Sequence, residues 1–147
     1  NVKDINWDDV KKIDFQNDSI LKYYLNLKGY PNLKKVGTYK HLEKDDLTKN
    51  VALDVILIHL SSYEIKFNYY NLIVLNYVIK GLCLPKTYAY MVDKNHMIKH
   101  NTSYYHFLFP KIDSNIQFRE NINKLRKETG LPSIEYDELF NQSVNNN

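Results

Sequence analysis

The sequence predicts an all-α fold, built of antiparallel helix pairs stacked as a short α-solenoid. Three observations carry that expectation. Apolar residues recur at steps of three and four along most of the 147 residues, the period of a helix that buries one face. Glycine and proline number only four each, too few for an all-β chain dense in turns. A tyrosine-headed pattern also returns at Tyr39, Tyr70, Tyr105 and Tyr136, with separations of 31, 35 and 31 residues. Such a period is the mark of a repeated two-helix unit. With 44% apolar residues a continuous core can form. The length suits one domain over residues 1–140, followed by a frayed polar tail at 141–147.

Each element follows in order. Asp4 caps a first helix to Phe15, with Ile5, Trp7, Val10 and Ile13 at loosely helical spacing. Asp18 or Ser19 caps a second helix, Ile20 to Leu27, and Gly29, Pro31 and Gly37 punctuate a loop. A short apolar piece at Tyr39 to Leu42 precedes the acidic pair Asp45-Asp46. From there Leu47, Val51, Ala52, Val55, Ile56 and Leu60 form a helix whose acidic start suits its dipole. Asn68 to Cys83 forms the next helix. It is apolar nearly all round, which predicts neighbours on both sides, and Pro85 limits its extension.

The stretch Thr87 to His100 reads two ways. With period two, Tyr88, Tyr90 and Val92 before Asp93-Lys94-Asn95 make a β-hairpin, giving an α+β alternative. With period three to four, Tyr88, Met91 and Val92 share a helical face. Ser114 and Gln117 then form a capping box, with Ile116, Ile122 and Leu125 as a stripe ending at Gly130. Ser133 caps a last short helix carrying Ile134, Leu139 and Phe140.

Before each repeated tyrosine runs a helical stretch ending in Leu or Met, then a polar turn: Leu27-Lys-Gly-Tyr-Pro-Asn, Leu60-Ser-Ser-Tyr, Met91-Val-Asp-Lys and Leu125-Arg-Lys-Glu-Thr-Gly-Leu-Pro-Ser. A helix pair of this size cannot bury its own apolar face, so pairs stack and share a core. This pattern, and the stretch Tyr69 to Cys83 above all, resembles the pentatricopeptide repeat (PPR) motif over roughly Ser19 to Phe140. The resemblance favours the helical reading of Thr87 to Met91. It implies a partner, single-stranded RNA, and a setting in mitochondria or another organelle, in RNA processing, stabilisation or translation. The chain begins at Asn1 rather than Met, so any targeting peptide is expected to have been removed or excluded.

In that family one base is read per repeat from the groove-lining helices. Taking Tyr69 and Tyr104 as third residues of successive motifs makes Asn71 and Asn101 the reading pair, two amides able to hydrogen-bond a base edge. A register shifted by one gives Leu72 and Thr102, which read nothing in that way, and His41 and Glu138 fit the family poorly. The bland alternative is that these are surface or capping asparagines of a biased genome. Lys34, Lys35, Lys80, Lys94, Lys99, Lys124, Arg126 and Lys127 are candidate phosphate contacts, each equally readable as part of a solvated face. The repeat tyrosines can stack on bases, although packing between helices is the better expectation.

Other classes find little footing. A net charge of +3 is mild for a nucleic-acid binder, and Asn and Lys are inflated by what looks like AT-rich coding. The single Cys83 rules out an internal disulfide. His96, His100 and His106 lack the Glu and second Cys that a zinc site would use. Asp8-Asp9 and Asp45-Asp46 read as helix-start acids, so neither enzyme chemistry nor a cofactor is expected. Asn71, Asn76 and Lys80 interrupt the apolar run Tyr69 to Leu84, which is short for a membrane span. Three glycosylation sequons, at Asn17, Asn101 and Asn141, keep open a small secreted or viral α+β effector. A helical adaptor binding protein partners within a larger complex is the other rival. A stack this short would need an assembly, a longer parent chain or a dimer to hold RNA well.

Overall fold

The computed structural model describes residues 6–31, 51–108 and 115–145. All regular structure among them is helical: α1 Trp7–Lys28, α2 Val51–Leu60, α3 Glu64–Ile79, α4 Pro85–His100, α5 Ile116–Glu128 and α6 Ile134–Asn145. The all-α expectation holds, and Thr87 to His100 is helix rather than hairpin. The expectations at Asp4 and Ile5, Lys34 and Lys35, Gly37 to Leu47 and Ser114 lie outside the described residues.

α1 is one helix of 22 residues, not two. Asn6 caps it, its Oδ1 accepting from the Asp8 amide at 3.1 Å, and Asp8 and Asp9 complement the dipole. No glycine or proline interrupts Phe15 to Ile20. The side chains expected as caps find other partners: Ser19 Oγ bonds back to the Phe15 carbonyl at 3.1 Å. Asp18 is buried against α3, where it accepts from Tyr70 Oη at 2.8 Å and pairs with Lys66 and Lys22. Burial alone would raise its carboxyl. Lys66, Tyr70 and Lys22 together outweigh that and hold it below the usual aspartate value. One turn earlier the buried Asp14 meets His59 Nδ1 and accepts from Tyr63 Oη, both at 3.1 Å. α1 is therefore fastened to α2 and α3 by a polar seam as well as by Leu21 and Leu25.

α2 buries Leu57 and Leu60, each contributing about 1.5–3 kcal/mol by removal from water. α3 starts earlier than expected and ends at Ile79. Beyond it Gly81 takes φ +66°, and the Leu82 amide reaches back to the Tyr77 carbonyl at 2.9 Å, closing the helix. α3 is not surrounded: Tyr70 and Val74 are buried, but Leu72 and Ile79 are exposed. Pro85 opens α4 at its first turn, where its missing N–H costs nothing. Met91 and Ala89 complete the core with Tyr70, Val74, Leu57 and Leu60. Asn115 caps α5, accepting from the Phe118 amide at 3.1 Å. Ser133 caps α6 as expected, accepting from the Tyr136 amide at 3.3 Å. α6 runs past residue 140 to Asn145.

Consecutive helices pack as pairs, α1 with α2, α3 with α4 and α5 with α6, and α2 ties the first pair to both helices of the second. The pairs are unequal, with helices of 22 and 10, 16 and 16, and 13 and 12 residues. The repeated tyrosines fall in unlike settings. Tyr70 is fully buried in the second turn of α3, Tyr105 is buried outside any helix, and Tyr136 is 60% exposed in the first turn of α6. Tyr39 lies outside the described residues.

Candidate functional site

The third pair meets the rest of the molecule where Leu125 and Leu131 join the core and through residues 101–108, a non-helical segment between α4 and the stretch leading to α5. Two charged side chains fix it from opposite sides. Asp93, fully buried on α4, accepts the amides of Tyr105, Phe107 and Leu108 at 2.6, 2.7 and 2.9 Å. Arg126, buried on α5, donates to the carbonyls of Tyr105 and His106 at 2.9 Å each, to Pro132 at 3.2 Å and to Asp137 at 2.7 Å. One carboxylate takes the segment's N–H groups and one guanidinium takes its C=O groups. That clamp holds His106 in the left-handed region at φ +51°, a conformation that would otherwise relax.

Ahead of the clamp, Asn101 ends α4 in the left-handed conformation, φ 55° and ψ 28°, where asparagine is favoured over most residues. His96 Nδ1 lies 2.9 Å from the Thr102 carbonyl and 3.2 Å from its Oγ1, which folds the chain back over the last turn of α4. The result is a cleft of about 450 Å³ between the end of α4, residues 101–106 and α5. Its apolar wall is Met97 with Phe118, Ile122 and Leu125, the inward stripe of α5. Its polar side is His96, Asn101, Thr102, Ser103 and His106, with Tyr104 between them. The His106 and Phe118 rings meet edge to face at 5.0 Å, and those of His96 and Tyr104 lie 5.4 Å apart. Ser103 is 6% exposed, and its Oγ is buried with no hydrogen-bond partner. A hydroxyl left unmet inside a protein is costly.

The residues nominated from sequence are dispersed. Asn101 and Thr102 line this cleft. Asn71 stands on α3 instead, half-buried with its Oδ1 lacking a hydrogen bond, and is not among the lining residues. The Asn71/Asn101 pair therefore does not share the cleft. Lys80 is exposed just past α3, and Lys94 is half-buried on α4. Lys99 is paired with Glu64 at 2.8 Å. Lys124 and Lys127 are exposed on α5, roughly a third to half a turn round from its cleft-lining stripe. Arg126 is buried, and its donors serve carbonyls and Asp137 inside the fold. Glu138 is engaged by Arg119 at 3.0 and 2.7 Å. The His96 and His100 rings are 4.5 Å apart, but no group of three or more potential metal ligands occurs among the described residues.

Sequence reasoning missed Ser103, His106, Met97 and Phe118 as a site. The one usable signal was aromatic density at Tyr104-Tyr105-His106-Phe107, read as a repeat start. Among the described residues no helix is long and apolar enough to cross a membrane. Comparison with protein-family models, with curated proteins and with solved structures gave no match, so the family resemblance rests on the sequence pattern alone.

Proposed function

We propose that this protein binds single-stranded RNA, engaging it at the cleft between α4 and α5. The observation that carries the reading is the cleft itself. Ring-bearing side chains line it, Asn101 stands in its wall, and one buried hydroxyl there lacks a partner. Unstacked bases are what proteins grip by stacking and by edge hydrogen bonds. This reading supposes a short stack of helix pairs, and the described helices do pack in consecutive pairs. Its basic component is modest, with Lys124 and Lys127 exposed on the same helix, so binding should be weak and sensitive to salt.

The test is a titration of labelled single-stranded oligonucleotides at several salt concentrations. Affinity should fall linearly in log–log form, with a slope near −0.7 per phosphate neutralised. Asn101→Gly, which keeps the left-handed backbone but removes the amide, should weaken binding. Absence of binding at low salt would defeat the proposal.

A second reading, a helical adaptor for a protein partner, is favoured by α1. Opposite its seam to α2 and α3, Ile13, Ile20, Tyr24 and Leu27 are exposed at steps that share one helical side. Ile20→Lys should abolish partner capture while leaving RNA binding untouched if the adaptor reading is correct.

A further inference from the structure

We infer that the cleft binds one uncharged, planar heteroaromatic ring, a nucleobase, with the ring's polar edge on Ser103 Oγ. The inference rests on the RNA reading only for the source of the ring, because a free nucleoside presents the same chemistry.

Four features lead to that class of ligand. The volume, about 450 Å³, lies inside the range of small-ligand sites, about 300–1,000 Å³. No Lys, Arg, Asp or Glu lines the cleft, and its ionisable groups are His96, His106 and Tyr104, so with those groups neutral a charged ligand would lose hydration there without gaining a counter-charge. Phe118 with His106, and His96 with Tyr104, supply ring faces and edges on two sides, which suits a flat partner over a branched aliphatic one. Ser103 adds a single specific demand. It is more than nine-tenths buried, lines the cleft, and its hydroxyl, able both to donate and to accept, makes no hydrogen bond within the protein. A wholly apolar ligand would leave it unmet, whereas a base edge satisfies it.

The Asp93–Arg126 clamp makes the site stiff. Ser103 and His106 lie on or beside backbone held by five hydrogen bonds with those two side chains. A ligand therefore meets a backbone already in place, and only the Ser103 side chain must turn to present its hydroxyl, which shows almost no surface in the free protein. A phosphate would remain outside, since no Lys or Arg lines the cleft.

Isothermal titration with adenosine, cytidine, their 5′-monophosphates and a single-stranded RNA oligonucleotide separates the possibilities. Nucleoside and monophosphate should bind alike, within about 3-fold, at a pH where the cleft histidines are neutral, for want of a Lys or Arg in the cleft. Ser103→Ala should weaken both by about 2- to 10-fold, the worth of one hydrogen bond. Leu125→Trp, checked for unchanged circular dichroism, should abolish binding by filling the space; if that variant fails to fold, Ser103→Ala decides alone. No nucleoside binding by the unmodified protein overturns the inference. So does binding that neither variant alters, or a monophosphate greatly preferred over its nucleoside. Nucleosides that bind where RNA does not would uphold the cleft and end the RNA reading. RNA binding indifferent to both variants would do the reverse.

Discussion

Two buried charges organise the chemistry-bearing part of the molecule. Asp93 and Arg126 each spend nearly all of their hydrogen-bonding capacity on backbone groups of residues 105–108 and 132 or on one acid. Removing either leaves several buried polar groups unmet. Asp93→Ala and Arg126→Ala should each cost about 3–5 kcal/mol of stability, read as a lower midpoint in urea unfolding. Arg126→Ala acting only on a charged surface would lower the midpoint by very little, the outcome expected of a phosphate-contacting arginine. At the other end of the fold, Asp18 has its folded-state pKa lowered by Lys66, Tyr70 and Lys22 against the opposing effect of burial. A lowered carboxyl contributes stability that is complete above its unfolded pKa of about 4. That contribution is lost as pH falls through the folded value. Unfolding midpoints should therefore drop between about pH 4 and lower pH, and Asp18→Asn should flatten that drop; an unchanged acid slope in the variant would contradict the assignment.

Among the elements, the helix ends were the easiest to misplace in the sequence and the least tied to periodicity. Asn6 and Asn115 cap α1 and α5, one or two residues from the acidic and hydroxyl residues expected to do so, because asparagine serves equally well and the chain is rich in it. Asp18 misled for a deeper reason. Its type suits a cap, yet its neighbours in space, Lys66 and Tyr70, are some fifty residues away, and only the fold brings them close. Gly81 was legible in principle as a stop signal and was overlooked in favour of Pro85. It sits at φ +66°, and a Cβ there would meet nothing within 4 Å. Gly81→Ala should cost about 1 kcal/mol through backbone strain alone, checked by thermal unfolding; a neutral or stabilising result would mean the turn adopts another conformation.

For the whole molecule, class was legible and arrangement was not. Steps of three and four in apolar residues, with so few glycines and prolines, pointed to helices near α2, α5 and the start of α6, while α3 begins four residues earlier than expected and Thr87 to His100 read equally as a hairpin. Period alone could not say which faces meet. α3 is apolar on nearly every side yet leaves Leu72 and Ile79 exposed, and α1 presents a second apolar line to solvent. The tyrosine spacing that suggested equal units marks a buried helix position, a clamped loop and an exposed first turn. Spacing in sequence does not fix setting in space when helix lengths differ. The cleft was invisible beforehand because its key side chain, Ser103, has no distinctive type. Only burial without a partner reveals it.

The decisive measurement is a pair of amide and methyl NMR spectra, with and without saturating nucleoside. Occupation of the cleft should shift the Ser103 and His106 amides and the Met97, Ile122 and Leu125 methyls, while resonances of Asn71 and Lys80 on and beyond α3 stay in place. Shifts confined to α3, or spectra unchanged by the nucleoside, would contradict a base-binding cleft at the junction of α4 and α5.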